Sequence, residues 1–103
     1  MQLNLNGLEF EWDKGNLHKS YQKHGITPEE SEQIFLDKKL IVLLDVPHSQ
    51  FEDRFIAIGK TQADRSLFVV FTIRRGKIRI VSSRKMHGKE VLKYEEIKKN
   101  PTL

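Results

Sequence analysis

Two strand-like segments joined by a short basic turn most constrain how this chain can fold. Residues 67–73 and 78–83 are rich in Val, Ile and Phe, a composition that favours strands. Between them stands Arg74-Arg75-Gly76-Lys77, in which Arg75-Gly76 could form a two-residue turn. The pattern therefore predicts a β-hairpin, and this is the strongest strand signal in the chain.

The turn would also set which side chains share a face of the hairpin. Directly opposed residues point to the same side of a sheet. One face would carry the pairs Arg74–Lys77, Thr72–Arg79 and Val70–Val81, and the other the pairs Ile73–Ile78, Phe71–Ile80 and Leu67–Arg84. We expect the second, mainly apolar face to meet the helices, and the first to become cationic toward the tip. A slip of one residue would exchange the two faces.

Helix signals are clearest in the first half of the chain. Thr27-Pro28-Glu29-Glu30 combines an N-cap, a proline at the first helical position and a capping box. The helix that it starts should end near Asp37. An earlier helix would run from a cap at Asp13 to a stop at Gly25. Its helical spacing brings together Leu17, Tyr21 and His24.

The other patterned segments complete one domain over residues 1–103. Strand patterns cover residues 8–12, 40–44 and 54–60. A last helix covers residues 87–99, with Met86, Tyr94 and Ile97 in its stripe and Pro101 after its end. We predict an α+β fold with an antiparallel sheet, in the order β-α-α-β-β-β-α, and with the helices packed on one face.

Composition excludes several classes of protein and of site. The chain has 103 residues and no cysteine, so it can form no disulfide, no thiolate nucleophile and no zinc site of the usual kinds. No apolar run approaches the roughly 20 residues that span a bilayer, and residues 1–6 lack the features of a secretory signal. We therefore expect a cytoplasmic protein that has no membrane partner.

Charge is divided unevenly along the chain. Residues 1–50 hold five Lys or Arg and eight Asp or Glu, a balance of −3, whereas residues 51–103 hold 13 and six, a balance of +7. Residues 74–93 contain eight cations and one acid, Glu90. This distribution indicates an anionic partner, although a solvated surface would give the same count.

No familiar catalytic motif accompanies the basic residues. The sequence has no Gly-rich phosphate loop, no Gly-x-Ser-x-Gly elbow and no His-Glu-x-x-His pair, and its four histidines lie in separate segments. Arginines and lysines with a tyrosine or a histidine suit metal-independent RNA cleavage. Guanidinium groups can stabilise the charge that develops on the phosphoryl oxygens, and a Tyr, His or Lys can move the proton of the 2′-hydroxyl.

Each candidate also has a structural interpretation. Arg79 could be an exposed mid-strand residue, and Arg84 could cap the sheet through an ion pair with Glu90. Tyr94 could belong to the core, and His24 could be a dipole partner at a helix end. From composition and pattern alone, the function stays open between binding RNA or another anion and cleaving it.

Several sequence blocks carry a resemblance that extends through most of the chain. The blocks are Phe10-Glu11-Trp12-Asp13, Lys23-His24-Gly25-Ile26, Ile34-Phe35-Leu36-Asp37, Pro47-His48-Ser49, the stretch 52–60, Phe68-Val69-Val70-Phe71-Thr72, the stretch 78–84, Glu90 and Tyr94-Glu95. Together they resemble the BrnT toxin family over roughly residues 8–96. The resemblance implies a toxin of a type II toxin–antitoxin pair, with a RelE-like fold and a ribonuclease activity that stops translation. It also implies a BrnA-type antitoxin, whose DNA-binding half lets the complex repress its own operon.

The resemblance also implies which residues act. The related toxins use basic residues on the sheet together with a residue from the last helix. By position, Arg79 and Arg84 match best, followed by Arg54, Arg65 and Arg74. We therefore predict catalytic roles for Arg74, Arg79, Arg84 and Tyr94. We predict substrate binding by Arg54, Arg65, Lys77, Lys85 and His24. No metal or cofactor is expected, and the expected partners are the antitoxin, RNA and, through the antitoxin complex, operator DNA.

Some positions depart from the family pattern. Ser20 stands where Asn is usual and Ser83 where Ala is frequent. His87 stands where a Ser commonly caps the last helix, and Gly88 follows it. These departures keep a second function open, that of a non-catalytic toxin-fold partner that binds antitoxin and nucleic acid as a transcriptional co-repressor. An acidic antitoxin segment could mask residues 74–93.

Overall fold

The computed structural model describes residue 5 and residues 7–99, which form one five-stranded sheet with helices on both of its faces. The strands are β1 (Glu9–Phe10), β2 (Ile41–Leu44), β3 (Phe55–Lys60), β4 (Ser66–Arg74) and β5 (Lys77–Lys85). The α-helices are α1 (Lys19–His24), α2 (Pro28–Gln33) and α3 (Gly88–Lys99), and 3₁₀ turns cover Ile34–Leu36 and Val46–His48. The α+β class is confirmed, and the stop predicted at Pro101 lies outside the described residues.

The hairpin has the predicted tip. β4 ends at Arg74, β5 begins at Lys77, and the two turn residues have φ values of 53° for Arg75 and 74° for Gly76. Positive φ at both central positions is typical of a type I′ turn, whose twist matches that of the flanking strands. The first four predicted pairs, counted from the tip, are confirmed.

A β-bulge changes the register beyond these pairs. The shift falls between Val70 and Phe71, and Val70 pairs with Ser82, which leaves Val81 as the extra residue. The predicted pair Val70–Val81 is therefore wrong. Strict alternation cannot foresee an inserted residue, and one extra residue reverses the facing of every position after it.

The bulge also places Arg84 on the opposite face from the one predicted. Arg84 opposes Phe68 and not Leu67, and its guanidinium carbon lies 4.2 Å from the centre of the Phe68 ring. Leu67 pairs with Lys85 instead. As a result, Arg84 shares a face with Arg79, although the two stand five positions apart and strict alternation would put them on opposite faces.

The sheet has the strand order β1-β5-β4-β3-β2 and is mixed, not antiparallel. From β2 to β5, successive strands pair antiparallel, but β1 runs parallel to β5, with Glu9 beside Lys77. The chain leaves β1, passes through α1 and α2, and enters the sheet again at the far edge as β2. The predicted order counts one strand too few, and the antiparallel assignment is wrong for β1. The RelE-like assignment stays a prediction.

One face of the sheet, the inner face, packs against α2 and the turn that follows it. Its buried side chains are Phe55, Ala57, Leu67, Val69, Phe71, Ile78 and Ile80. Ile34 belongs to the same buried cluster, and the Phe35 ring meets the Phe71 ring edge to face, with centres 5.3 Å apart. The prediction that the apolar face meets the helices is confirmed for these elements.

The start of α2 has the predicted capping box. Thr27 Oγ1 accepts the Glu30 N–H at 3.1 Å, and a Glu30 carboxylate oxygen accepts the Thr27 N–H at 3.2 Å. The two bonds satisfy N–H groups that have no partner within the helix, and a cap of this kind contributes about 1 kcal/mol. Ser31, in the first turn, is buried.

α1 is shorter than predicted and buries none of its residues. It begins at Lys19, and the Asp13 carboxylate accepts the N–H of Gly15 in a turn that precedes the helix. Gly25, with a φ of 70°, ends the helix as predicted. Tyr21 is exposed to solvent.

Side chains of residues 16–20 form hydrogen bonds with the backbone of β5 beyond the point where its pairing with β1 ends. Asn16 Nδ2 donates to the Ile80 carbonyl at 3.0 Å, and Ser20 Oγ accepts the Ser83 N–H at 2.8 Å. Ser83 Oγ lies 2.6 Å from Ser31 Oγ on α2. Two of the positions that depart from the BrnT pattern, Ser20 and Ser83, therefore contact each other and join both helices to β5.

α3 packs on the other face, the outer face, so the prediction that all helices share one face is wrong. Tyr94 of α3 lines a mainly apolar cavity of about 270 Å³ together with Ile58 and Phe68. Ile58 and Phe68 are directly opposed and alternate with the buried Ala57 and Val69, so they point away from α2. The outer face thus has a covered end under α3 and an open end at the hairpin tip.

Candidate functional site

The open end of the outer face gathers four of the predicted site residues around a threonine. Thr72 pairs with Arg79, and Arg74 pairs with Lys77. Arg54 comes directly before β3, and continuation of the β3–β4 register places it beside Thr72. We refer to Arg54, Thr72, Arg74, Lys77 and Arg79 as the basic face.

Acidic residues that follow β1 hold Arg79 in place. Its Nη1 donates to Glu11 at 3.1 Å and to Asp13 at 2.8 Å, and its Nη2 donates to Asp13 at 3.0 Å. The hydrogen bonds from Arg79 lower the pKa of Asp13, and the same bonds raise the pKa of Arg79. The guanidinium is therefore fixed in position and permanently charged.

Arg74 is held in a similar way by the loop before β3. Its Nε and Nη2 donate to the two carboxylate oxygens of Glu52 at 2.7 and 2.9 Å, and this bidentate pair lowers the pKa of Glu52. Lys77 Nζ lies 3.9 Å from a carboxylate oxygen of Glu9. Because Glu9 and the partners of Arg79 come from the acidic first half of the chain, folding partly cancels the charge imbalance seen along the sequence.

Thr72, in the middle of the basic face, has an unsatisfied hydroxyl group. The residue is 1% exposed, and its Oγ1 has no hydrogen-bond partner among the residues that the structure describes. The neighbouring Arg54 guanidinium likewise forms no hydrogen bond or ion pair within the described part of the chain. Buried polar groups are nearly always paired in native proteins, so an unpaired one is a place where a bound ligand would be stabilising.

Arg84 lies at the covered end, apart from the other arginines of the outer face. Arg84 stands five positions after Arg79 on β5, which is roughly 16 Å at about 3.3 Å per residue. Its two terminal nitrogens donate to the two carboxylate oxygens of Glu90 at 2.8 and 2.9 Å, and its guanidinium lies over Phe68. The bonds from Arg84 lower the pKa of Glu90 from its usual 4.5 to about 2. This geometry agrees with a sheet cap.

Tyr94, also at the covered end, is turned into the protein. It is 1% exposed, and its hydroxyl donates to Asp37 Oδ2 at 3.2 Å and to the Lys39 carbonyl at 3.3 Å. The same Asp37 oxygen accepts the Lys60 N–H at 2.8 Å. Burial raises the pKa of Tyr94 well above its usual 10, and the Asp37 charge adds to the effect. These contacts join α3 to the sheet, and the catalytic role of Tyr94 stays a prediction.

The other predicted binding residues are not part of the basic face. Arg65, in the turn before β4, forms an ion pair with Glu30 at the start of α2. Lys85 is exposed at the end of β5 that is far from the hairpin tip, and His24 is exposed at the end of α1. The fold thus brings together four of the nine predicted site residues and distributes the others.

A His–Asp pair at the border of the basic face is absent from the predicted site. His48 Nδ1 lies 2.9 Å from Asp45 Oδ2, and the Asp45 N–H donates to the Arg54 carbonyl at 2.8 Å. The available signal is the spacing Asp45-Val46-Pro47-His48, because a proline turn brings positions i and i+3 together. Among four scattered histidines, that spacing has little weight without the fold.

Neither a cluster of metal ligands nor a membrane span occurs in the described part of the chain. Across residue 5 and residues 7–99, no three His, Asp or Glu side chains are close enough together to hold a metal ion. Within the same residues, no helix has both the length and the apolar character that crossing a bilayer requires.

The fold and the site define a small α+β protein that displays arginines on one open sheet face. The model of a family described as ribonuclease toxin, BrnT, of type II toxin-antitoxin system matches residues 12–90, and the chain belongs to this family. Membership makes it a toxin with ribonuclease activity and with an antitoxin as partner. No curated protein matches the chain. The matched region includes the whole basic face and ends before Tyr94.

Proposed function

We propose that the chain is a metal-independent endoribonuclease that inhibits translation, and that its basic face binds RNA at the scissile phosphate. The observation that carries the proposal is the row formed by Arg54, Thr72 and Arg79 on an open sheet face, with Arg74 beside it. Planar guanidinium groups bind phosphate oxygens through two parallel hydrogen bonds. A row of them therefore suits the backbone of a single RNA strand.

The same groups suit the transition state of RNA cleavage. Attack of a 2′-oxygen on the adjacent phosphorus adds negative charge to the phosphoryl oxygens, and donors that are already in position stabilise this charge without reorganisation. Carboxylates position Arg74 and Arg79. The buried, unsatisfied hydroxyl of Thr72 stands in the row between Arg54 and Arg79, and it can donate once these guanidinium groups shift onto RNA. Removing one such donor typically slows an enzyme by about 10²- to 10³-fold.

The test is cleavage of a defined single-stranded RNA by the purified full chain in the presence of a metal chelator. We expect the parent protein to cleave and the Arg79→Ala variant to be about 10²- to 10³-fold slower. Lys89→Ala is the matched control, because Lys89 is an exposed cation of α3 outside the basic face. Equal rates for the parent and for Arg79→Ala would contradict the proposed site. A requirement for added metal would contradict metal independence.

A second control separates lost chemistry from lost stability. Arg79→Ala leaves Glu11 and Asp13 without their partner, so its unfolding midpoint must be measured beside its rate. Glu11→Gln weakens the same ion-pair group but keeps the guanidinium. We expect Glu11→Gln to retain most of the activity of the parent, so that a large loss specific to Arg79→Ala reports on the guanidinium itself.

The proposal includes a BrnA-type antitoxin that neutralises the toxin by covering the basic face with an acidic segment, and that carries the complex to operator DNA. Complementary charge favours such a contact and accelerates its formation. Expression of the toxin alone should arrest growth, and expression with the antitoxin should relieve the arrest. A complex whose contacts spare residues 74–93 would contradict the covering of this face, and it would leave the ribonuclease activity untouched.

A second candidate is a non-catalytic partner that binds antitoxin and nucleic acid as a co-repressor. The ion pairs of Arg74 and Arg79 favour it, because carboxylates already take up part of their hydrogen-bonding capacity. This candidate predicts nucleic-acid binding that weakens steeply with salt, together with intact RNA in the chelator assay. The same purified protein therefore distinguishes the two functions.

A further inference from the structure

The loop between β2 and β3 holds a His–Asp pair with the geometry of a proton-transfer site. His48 Nδ1 lies 3.1 and 2.9 Å from the two carboxylate oxygens of Asp45. When Nδ1–H of the neutral ring donates to the Asp45 carboxylate, Nε2 keeps a free lone pair. The Asp45 side chain is 14% exposed and that of His48 is 68% exposed. The carboxylate is therefore anchored in the protein while the imidazole is open to solvent.

Hydrogen bonds of the loop fix the position of this pair. The Asp45 N–H donates to the Arg54 carbonyl at 2.8 Å and extends the β2–β3 ladder by one residue. Ser49 Oγ donates to the Asp45 carbonyl at 2.6 Å and accepts the Arg54 N–H at 3.0 Å. The 3₁₀ turn Val46–His48 then returns the ring to the carboxylate. The sheet thus determines where the imidazole lies.

His48 opens onto a cavity that offers two further groups suited to a nucleotide. The cavity has a volume of about 320 Å³ and is also lined by Pro47, Gln50, Phe51 and Arg54. Phe51 is 100% exposed, and an exposed aromatic ring is a surface on which a base can stack. Arg54 supplies a cation for a phosphate. A proton acceptor, a cation and a stacking ring therefore surround one space.

Arg54 connects this cavity to the basic face. It lines the cavity and also lies beside Thr72, whose other neighbour in the row is Arg79. Glu52, from the same loop as Phe51, binds Arg74. An RNA strand that follows the guanidinium groups consequently reaches the imidazole.

We propose that His48 is the general base of RNA cleavage, that Asp45 positions it, and that Phe51 stacks on a base beside the scissile bond; this inference rests on the proposed ribonuclease function. His48 Nε2 takes the proton of the 2′-hydroxyl, the 2′-oxygen forms a bond to phosphorus, and the bond between phosphorus and the 5′-oxygen breaks. The leaving 5′-oxygen takes a proton from water, and the imidazolium returns its proton to the solvent. The products end in a 2′,3′-cyclic phosphate and a 5′-hydroxyl.

The test measures kcat and KM of the full chain on a short RNA whose product ends are identified. We expect His48→Ala to lower kcat by about 10²- to 10⁴-fold, and added imidazole to restore the rate in proportion to its concentration. A residue with only a structural role would give no such rescue. His48→Gln, which keeps a polar side chain in the exposed position, should be similarly slow. His18→Gln is the matched control, because His18 is an exposed histidine outside the site, and it should equal the parent.

Two further variants separate the roles inside the pair and the cavity. Asp45→Asn should slow the parent, but in the His48→Ala background it should leave the imidazole-rescued rate unchanged, because Asp45 acts through His48. Phe51→Ala should raise KM by roughly tenfold and leave kcat within a few-fold, as the loss of one stacked base predicts. An Asp45→Asn effect that persists without His48 would contradict its positioning role.

The outcomes distinguish this inference from the function on which it rests. If the parent cleaves RNA and His48→Ala cleaves equally fast, the inference is overturned and the ribonuclease proposal stands. If His48→Ala is slow but imidazole gives no rescue, the general-base role is overturned. If the parent leaves RNA intact, both proposals are overturned.

Discussion

The outer face of the sheet carries arginines at both ends, and the two ends differ in whether their polar groups are satisfied. At the covered end, Arg84 bonds to both oxygens of Glu90 and lies over Phe68, and Glu90 also accepts the His87 N–H at 2.8 Å. At the open end, the Thr72 hydroxyl has no hydrogen-bond partner among the described residues, and the Arg54 guanidinium forms neither a hydrogen bond nor an ion pair with them.

This difference indicates a ligand site better than exposure does. Exposure does not separate the two ends, because the exposed fraction of the side chain is 14% for Arg79, 29% for Arg84 and 50% for Arg74. Unsatisfied groups cost free energy in the free protein, and binding can recover it. We therefore propose that the covered end contributes stability and the open end contributes binding, and the following variants test that division.

The largest effect on stability is expected at the covered end, for Tyr94. Tyr94→Ala removes a buried ring and should lower the free energy of unfolding by about 3–5 kcal/mol. Tyr94→Phe keeps the ring but removes the donor to Asp37 and should cost about 1–2 kcal/mol. Urea unfolding gives both values. The proposed division predicts that Tyr94→Phe cleaves RNA like the parent per folded molecule, whereas a hundredfold loss in a stable Tyr94→Phe variant would support the catalytic role predicted from the sequence.

A smaller effect is expected for Arg84. Arg84→Met keeps the length of the side chain over Phe68 but leaves Glu90 without its partner, and it should cost about 1–2 kcal/mol of stability. RNA cleavage per folded molecule should stay within a few-fold of the parent. The double variant Arg84→Met with Glu90→Gln should lose less stability than the two single variants lose in sum, because either change alone already breaks the ion pair. A stable Arg84→Met protein without activity would show that the two ends do not differ in role.

Acid should weaken the covered end through Glu90. Its pKa in the folded protein, about 2, lies below the usual 4.5, so its contribution is complete above pH 4.5 and is lost as the pH falls toward 2. Because Glu90 is partly exposed, we expect a loss of about 1 kcal/mol. Unfolding of the parent and of Glu90→Gln should be compared across this range, with Glu29→Gln as the exposed control. An equal loss in Glu90→Gln would assign the acid sensitivity to other groups.

The smallest effect, with an unusual sign, is expected at the open end. Thr72→Val removes a buried hydroxyl that has no partner, so it should leave stability unchanged or raise it by up to about 1 kcal/mol, while RNA cleavage falls. Thr61 provides the matched control, because its Oγ1 accepts the Arg65 N–H at 3.1 Å and Thr61→Val should be destabilising. Destabilisation by Thr72→Val would indicate that the Thr72 hydroxyl has a hydrogen-bond partner in solution. The open end would then lose one of the two observations that distinguish it from the covered end.

Features of the fold that depend on neighbouring residues could be predicted from the sequence. The capping box at Thr27, the stop at Gly25 and the turn at Arg75-Gly76 each rest on a few adjacent residues, and all three are confirmed. The parallel pairing of β1 and the bulge at Val81 depend on how distant segments compete for the same strand, and no local pattern encodes them.

The candidate site was predictable to a similar extent. Alternation from the turn places Arg74 and Arg79 on one face, and the structure agrees. The carboxylates that hold Arg79 come from residues more than 60 positions away, so a pattern within the hairpin cannot include them. The pair Asp45–His48 is local, but its relevance depends on Arg54 extending the ladder beside it.

The bulge lets β5 carry one residue more than its partner strand while Arg84 stays on the outer face. Deleting Val81 would remove the extra residue and leave Ser82, Ser83 and Arg84 opposite Val70, Val69 and Phe68, so Ser83 would still face α2. One further residue inserted between Arg79 and Arg84 would instead enlarge the bulge or turn Arg84 toward the apolar inner layer. We therefore expect homologous toxins to tolerate loss of the extra residue and to avoid a further single insertion in this segment.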